Sequence, residues 1–335
     1  MKSTSLQQRL FDRIIENYAR KSDAVEEIAE LLNVGRDAVY RRMRAETSLT
    51  PDELMLLAHR YNISLDRLMD SASSTILFNF NAFERQVQNF EDYLTNVHEL
   101  IEGVAKLPDS HFYYASQEVP IFHYFYYPEL TAFKLYVYGQ SVWSLDYLAT
   151  RPFSFDLLPP AHLRHIEATV EQYNRVPSVS LWNNTVVDNT IQQIEYALEV
   201  NAFAERSDAL RLLDHLHDLF QHLTRMATLG KKFSPGTQPT GASADFELYH
   251  NELFHLSNTI YVKTVANRMV FTTFSNPNFL LTTDAHFCDY TEAWIQKVIG
   301  RSSGLTAQNE RARMTFFNTI FRKINAARKR VEEQV

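Results

Sequence analysis

The strongest constraint on this chain is residues 23–45, where two short helical patterns meet at a tight break. The first pattern covers residues 24–32 behind Asp23, a residue type suited to an N-cap. Val25, Ile28, Ala29 and Leu32 recur at helical spacing and mark its buried face. Ala29 is small, which lets a following helix approach closely. Asn33 stands where the chain must reverse, and asparagine tolerates the left-handed conformation better than most residues other than glycine. The second pattern starts near Gly35. Val39 and Met43, four apart, form its inner side, while Arg36, Asp37, Tyr40, Arg41 and Arg44 fall on one outer stripe.

That stripe has the chemistry of a DNA recognition helix. Arginine bonds guanine edges bidentately in the major groove and grips phosphate through charge-assisted hydrogen bonds. Residues 34–45 hold four arginines against Asp37 alone. A charge run is ordinarily a solvated helix face, but the flanking elements favour DNA. Leu6, Leu10, Ile14 and Tyr18 predict a preceding amphipathic helix. Thr50-Pro51 reads as an N-cap with proline in the first turn, ahead of a helix carrying Leu54, Leu57, Ala58 and Tyr61. A fifth short helix is predicted over residues 64–68.

Five helices within the first 70 residues, with the second and third as the turn pair, resemble the lambda-repressor and Cro-like helix-turn-helix family. The resemblance rests on Ile28-Ala29, Asn33-Val34, Val39, Leu57-Ala58 and Ile63-Ser64-Leu65-Asp66-Arg67-Leu68, and covers roughly residues 6–70. It departs at Asn33, where the family usually has glycine, and at Arg42, where it usually has an apolar residue. The resemblance implies a sequence-specific, dimeric DNA binder in a bacterial or phage setting.

A length of 335 residues implies two domains or more. Hydrophobic residues make up 45% and charged residues 22%, enough for large cores. Formal net charge is −7, and the first 70 residues hold 11 Lys and Arg against 12 Asp and Glu. Positive charge for DNA must therefore be focused on one face. Cys288 is the only cysteine, which excludes an internal disulfide framework and a cysteine-rich zinc site. Nothing reads as a signal peptide, and no apolar run approaches about 18 residues, so a cytoplasmic protein with no membrane span is expected.

Residues 71–75 read as a polar linker. From Ile76 through Phe80, Phe83, Val87, Phe90, Leu94, Val97 and Ile101 to Val104, apolar residues alternate spacings of four and three, predicting a long helix over 76–107. That helix would pack on the second domain or form an intersubunit seam. Residues 111–145 are rich in aromatic side chains, with Lys134 the only Lys or Arg between His111 and Trp143. This suits an aromatic core, with room for an apolar pocket, better than a nucleic-acid stacking platform. Helices are predicted over 163–173, 190–201, 208–229, 286–299 and 307–330. Residues 231–244 read as a loop, and 259–264, 269–274 and 279–282 as short strands. Residues 301–331 collect eight basic side chains against Glu310 alone, suited to phosphate, an acidic partner or a subunit contact.

Histidines 215 and 217 fall on different helix faces, and His162 and His165 share one without an obvious third metal ligand. Cys288 reads as a buried thiol. With 8 glycines in the chain and no phosphate loop, nucleophile elbow or zinc-protease motif, neither catalysis, a metal nor a cofactor is expected. The expected fold is mostly α: a five-helix N-terminal domain over 1–70, then a larger, predominantly helical domain over 108–335 with a small antiparallel β element near 259–282. The expected function is DNA-binding transcription regulation by a homodimer whose C-terminal domain either senses a small-molecule or protein effector or serves as an oligomerisation scaffold. Arg36, Asp37, Tyr40, Arg41 and Arg44 are the expected contacts with double-stranded DNA. The alternative is a protein-interaction module on the same helical frame, which would be expected to replace the arginine stripe.

Overall fold

The computed structural model describes residues 5–335 apart from 17, 19, 62, 64, 66, 67, 69–75, 81–86, 254, 255 and 276. The chain divides into two units, residues 1–75 and 76–335.

The first unit contains α1 (Leu6–Ile15), α2 (Lys21–Leu31), α3 (Arg36–Met43) and α4 (Pro51–Arg60). Two of these begin with capping boxes, Ser5 with Gln8 and Thr50 with Glu53, which satisfy orphan N–H groups at the helix start. Their apolar stripes meet in one small core of Leu10, Phe11, Ile14, Val25, Ile28, Ala29, Val39 and Leu57. Of the expected fifth helix, Ser64, Asp66 and Arg67 lie outside the described residues, as does the linker at 71–75; Leu68 packs on this core.

The second unit overturns the expectation of a mostly helical domain with a small antiparallel element. It is built on a seven-stranded mixed sheet of order β6-β5-β4-β1-β2-β3-β7. The strands are β1 (His111–Ala115), β2 (Ser178–Trp182), β3 (Phe246–His250), β4 (Thr259–Lys263), β5 (Arg268–Ser275), β6 (Asn278–Thr282) and β7 (Ser303–Gly304). β1, β2 and β3 run parallel, in register Phe112 with Ser178 and Ser178 with Phe246. β4 joins β1 antiparallel, and β5 and β6 extend that wing. The expected strands near 259–282 are therefore only the wing of a larger sheet.

The helices are α5 (Phe90–Ala105), α6 (Ile121–Tyr124), α7 (Pro128–Ser141), α8 (Pro160–Tyr173), α9 (Asp188–Glu199), α10 (Asp208–Leu229), α11 (Ala285–Ile299) and α12 (Glu310–Glu332). Side-chain alternation along the strands separates two cores. Phe112, Trp182, Phe246, Leu248 and Ile260 face the large core with α5, α7–α10 and α12. Ala115, Leu181, Tyr261 and Val270 face α11, whose Cys288, Ile295 and Val298 cover them.

The predicted helix over 76–107 is shorter. α5 begins at Phe90, capped by Asn89, whose side chain accepts the Asp92 N–H. Residues 81–86 lie outside the described residues. Asn79 instead forms a β-bridge to Leu281 through two backbone hydrogen bonds of 2.7 and 2.9 Å, so residues next to it run along β6. The seam residues Phe90, Leu94, Val97, Ile101 and Val104 are all buried inside the second unit's own core, against α8 among other elements. An intersubunit seam through them is thereby excluded.

Three of the seven basic side chains of α12 are paired within the unit. Lys323 donates to Asp188 at 2.8 Å, Arg328 to Asp214 at 2.8 Å and Arg330 to Glu195 at 2.8 Å. These pairs clasp α12 to α9 and α10. The opposite edge of the sheet is also occupied. Phe246 N–H donates to Gly230 O, Leu305 N–H donates to Leu248 O, and β7 pairs with Tyr249 and His250.

Candidate nucleic-acid interface

The turn between α2 and α3 follows directly from its residues. Asn33 takes the left-handed conformation at φ 50°, which asparagine tolerates and β-branched residues resist. The Val34 N–H then donates to Ala29 O at 3.0 Å, closing the end of α2. Ala29 and Val39 are both buried, so the small residue lies where the two helices meet. Gly35 caps α3 with its backbone alone: its carbonyl accepts the Ala38 and Val39 N–H groups.

With Val39 inward, Arg36, Asp37, Arg41 and Arg44 are exposed on the outer face, at spacings that share one side of a helix. Tyr40 is half-buried and packs against the core, so it serves the frame as much as the face. Arg42, the fourth arginine, does not join them. It turns inward to Glu53 on α4, with Nη2 at 2.8 Å from Oε1, and the two side chains are only 14% and 18% exposed. This accounts for a charged residue at a position where an apolar one was expected: an ion pair replaces an apolar contact. Burial pushes the Glu53 carboxyl up, but the Thr50 N–H and Arg42 outweigh it and hold it below its ordinary value.

The end of α3 is fixed by Gln7. Its Nε2 donates to Arg42 O at 2.6 Å and Thr47 O at 2.8 Å, and its Oε1 accepts the Leu49 N–H at 2.8 Å. One amide thus satisfies three backbone groups where α3 leaves the bundle. On the far side Tyr18 donates to Glu27 at 2.5 Å, and Arg60 reaches the same carboxylate at 2.9 Å, tying α2 to α4.

The face is less positive than its sequence. Arg36 pairs with Glu26 at 3.1 Å and Arg44 with Glu46 at 2.7 Å. Among the described residues, only Arg41 of the three outer arginines has no carboxylate within 4 Å. The Arg44–Glu46 pair holds the Glu46 carboxyl below its ordinary value. Glu26 and Glu46 were not recognised from the sequence. Arg44-x-Glu46 is a local spacing that could have revealed one of them; Glu26 lies ten residues from Arg36 and comes near only through the turn.

No known family model, curated protein or solved structure matches this chain. The remaining candidates from the sequence fall into ordinary packing. His215 lies 3.9 Å from Glu129, while His217 packs on the Phe321 ring, so the two do face different neighbours. His162 and His165 face α5, near Glu91 and His98 respectively. No group of three or more metal-ligating side chains is placed to hold an ion among the described residues. Cys288 is fully buried. No helix among the described residues is long and apolar enough to cross a membrane.

Proposed function

We propose that the first unit binds double-stranded DNA sequence-specifically through α3 and that the chain is a transcription regulator. The observation that carries this reading is the division of the four arginines. Arg36, Arg41 and Arg44 stand exposed on one face with Asp37, while the fourth is committed to the core. A face of that kind can put bidentate guanine contacts and phosphate contacts on a helix held rigidly by its turn and by Gln7. Binding exchanges the Glu26 and Glu46 carboxylates for DNA acceptors. A dimer would set two such helices in successive major grooves about 34–36 Å apart; its contact surface lies elsewhere than the buried seam of α5.

The test is selection of bound sequences from a random DNA pool by the full chain, then titration of the enriched site. Arg41→Ala should weaken specific binding by about 1–3 kcal/mol if Arg41 reads a base. A pool that enriches no sequence defeats the proposal. A second reading rests on one feature: Met55 and Leu56, 65% and 43% exposed, sit side by side on α4. If the unit binds protein instead, Met55→Ser with Leu56→Ser abolishes partner capture and Arg41→Ala does not.

A further inference from the structure

The second unit holds an open cleft of about 300 Å³ beyond the carboxyl ends of β2 and β3. Asn184 follows β2, His250 ends β3, Ser303 begins β7, and α12 supplies Arg311, Thr315 and Phe316. Loops diverge at the carboxyl ends of parallel strands, which is where open α/β sheets bind ligands. The volume sits at the small end of the range for ligand sites, roughly 300–1,000 Å³.

The walls are held before any ligand arrives. Glu252 Oε1 accepts the Asn184 N–H at 2.7 Å and lies 2.7 Å from His250 Nε2. Lys323 Nζ donates to Asn184 O at 2.7 Å and to both Asp188 oxygens at 2.8 Å. The loop after β2 is thus tied to α12 and to the start of α9. The His250 ring packs 5.0 Å from the Phe316 ring.

Arg311 is the one permanently charged side chain among the described residues that line the cleft, and the Glu252 carboxylate reaches its wall only through His250 and the Asn184 N–H. No carboxylate lines the cleft among the described residues. Arg311 is exposed and has no carboxylate within 4 Å among the described residues. Within one turn of it, Arg313 is only 6% exposed and its guanidinium donates to the Leu305 and Ala307 carbonyls at 3.3 and 3.2 Å. Arg313 is not among the lining residues and, two positions from Arg311, falls on another face of α12, so the ligand's charge is left to Arg311. The helix terminus itself is occupied: Asn309 caps it, accepting the Ala312 N–H on its side chain and the Arg313 N–H on its carbonyl. Recognition therefore falls to side chains.

We propose that this cleft binds a small hydroxylated metabolite bearing a phosphate or carboxylate group. Arg311 takes the anionic oxygens in a bidentate fork, and the hydroxyls of Ser303, Thr315 and Thr319 bond the rest. This site stands whether or not the first unit binds DNA.

The experiment is calorimetric titration of the full chain with inorganic phosphate, ribose 5-phosphate and citrate at constant ionic strength. Saturable binding of at least one probe is expected, with ribose 5-phosphate assigning a phosphate ligand and citrate a carboxylate ligand. Arg311→Gln should lower that affinity about tenfold or more, and Arg311→Lys should lower it less because the charge is kept. Lys329→Gln, exposed farther along α12, should bind as the parent does. Tryptophan fluorescence melts establish that each variant folds, and Arg311→Lys serves if Arg311→Gln does not. Saturable binding by none of the three probes overturns the proposal. So does parental affinity in Arg311→Gln, or an equal loss in Lys329→Gln.

Discussion

Breaking the Arg42–Glu53 pair should unfold the first unit more readily without touching DNA chemistry. Fully exposed ion pairs contribute about 0–1 kcal/mol, whereas removing one partner of a fully buried pair costs about 3–5 kcal/mol. With side chains 14% and 18% exposed, this pair lies between the two limits, nearer the buried one. Arg42→Met should cost about 2 kcal/mol, because Glu53 stays in a mostly dry site with only the Thr50 N–H, at 2.9 Å, to hold it. Glu53→Gln should cost a similar amount, leaving Arg42 unneutralised. The double variant removes both charges and keeps an amide for the cap. It should also cost about 2 kcal/mol, which leaves a coupling energy of about 2 kcal/mol between the sites. All three tryptophans lie beyond residue 75, so their fluorescence follows only the second unit. Hydrogen exchange at residues 36–43 in the full chain is the suitable readout. Additive single losses would refute the pairing. A loss of operator affinity in Arg42→Met, under conditions where exchange shows α3 folded, would place Arg42 on the DNA face and undo the division of the arginines.

Glu26→Gln combined with Glu46→Gln should strengthen operator binding, since DNA no longer displaces two carboxylates; unchanged affinity in a salt titration would mean those pairs persist in the complex. The second unit should lose stability in acid. Burial lowers the pKa values of His123, His165 and His222, the last to about 4 from 6.5, against the Phe233 carbonyl contact that raises it. The folded form keeps these rings neutral, so stability is fully present above pH 6.5 and falls as the unfolded chain takes up protons below it. His222 alone accounts for about 3 kcal/mol between pH 6.5 and 4, at about 1.36 kcal/mol per unit; His222→Gln should flatten that part of a fluorescence-monitored pH series. Ile101→Ala on α5 should cost about 2–5 kcal/mol by opening a cavity, yet leave the sedimentation coefficient of the folded chain unchanged, because this residue faces its own core.

The helices were legible wherever an apolar stripe ran for several turns. α10 occupies residues 208–229 as its pattern predicts, with Leu212, Leu216, Leu219 and Leu223 fully buried and Gly230 ending it at φ 64°. The turn pair was legible too, because Ala29, Asn33 and Val39 each report a local steric requirement. The parallel strands were not. β2, Ser-Val-Ser-Leu-Trp, is buried along its whole length, serines included; its polar–apolar alternation runs over only four positions, and its serines resemble a loop. β1 was hidden inside an aromatic run. The start of the heptad pattern misled for another reason: spacings of three and four do not exclude an extended segment beside a sheet edge, where Ile76 is partly buried and Phe80 is exposed. At the candidate interface, exposure of the arginines followed from helix geometry, but their carboxylate partners and the inward turn of Arg42 depended on contacts between helices.

Both borders of the sheet carry backbone bonds from within the unit. Asn79 occupies β6 on one side, while Gly230, Leu305 and β7 occupy β3 on the other. An unpaired border is a template on which a second chain can grow a shared sheet, in assembly or in aggregation. With each border bonded in part from within, less of the rim is offered to a second copy, and a substitution that loosened the Asn79 bridge would expose more of that adhesive rim before it exposed the core.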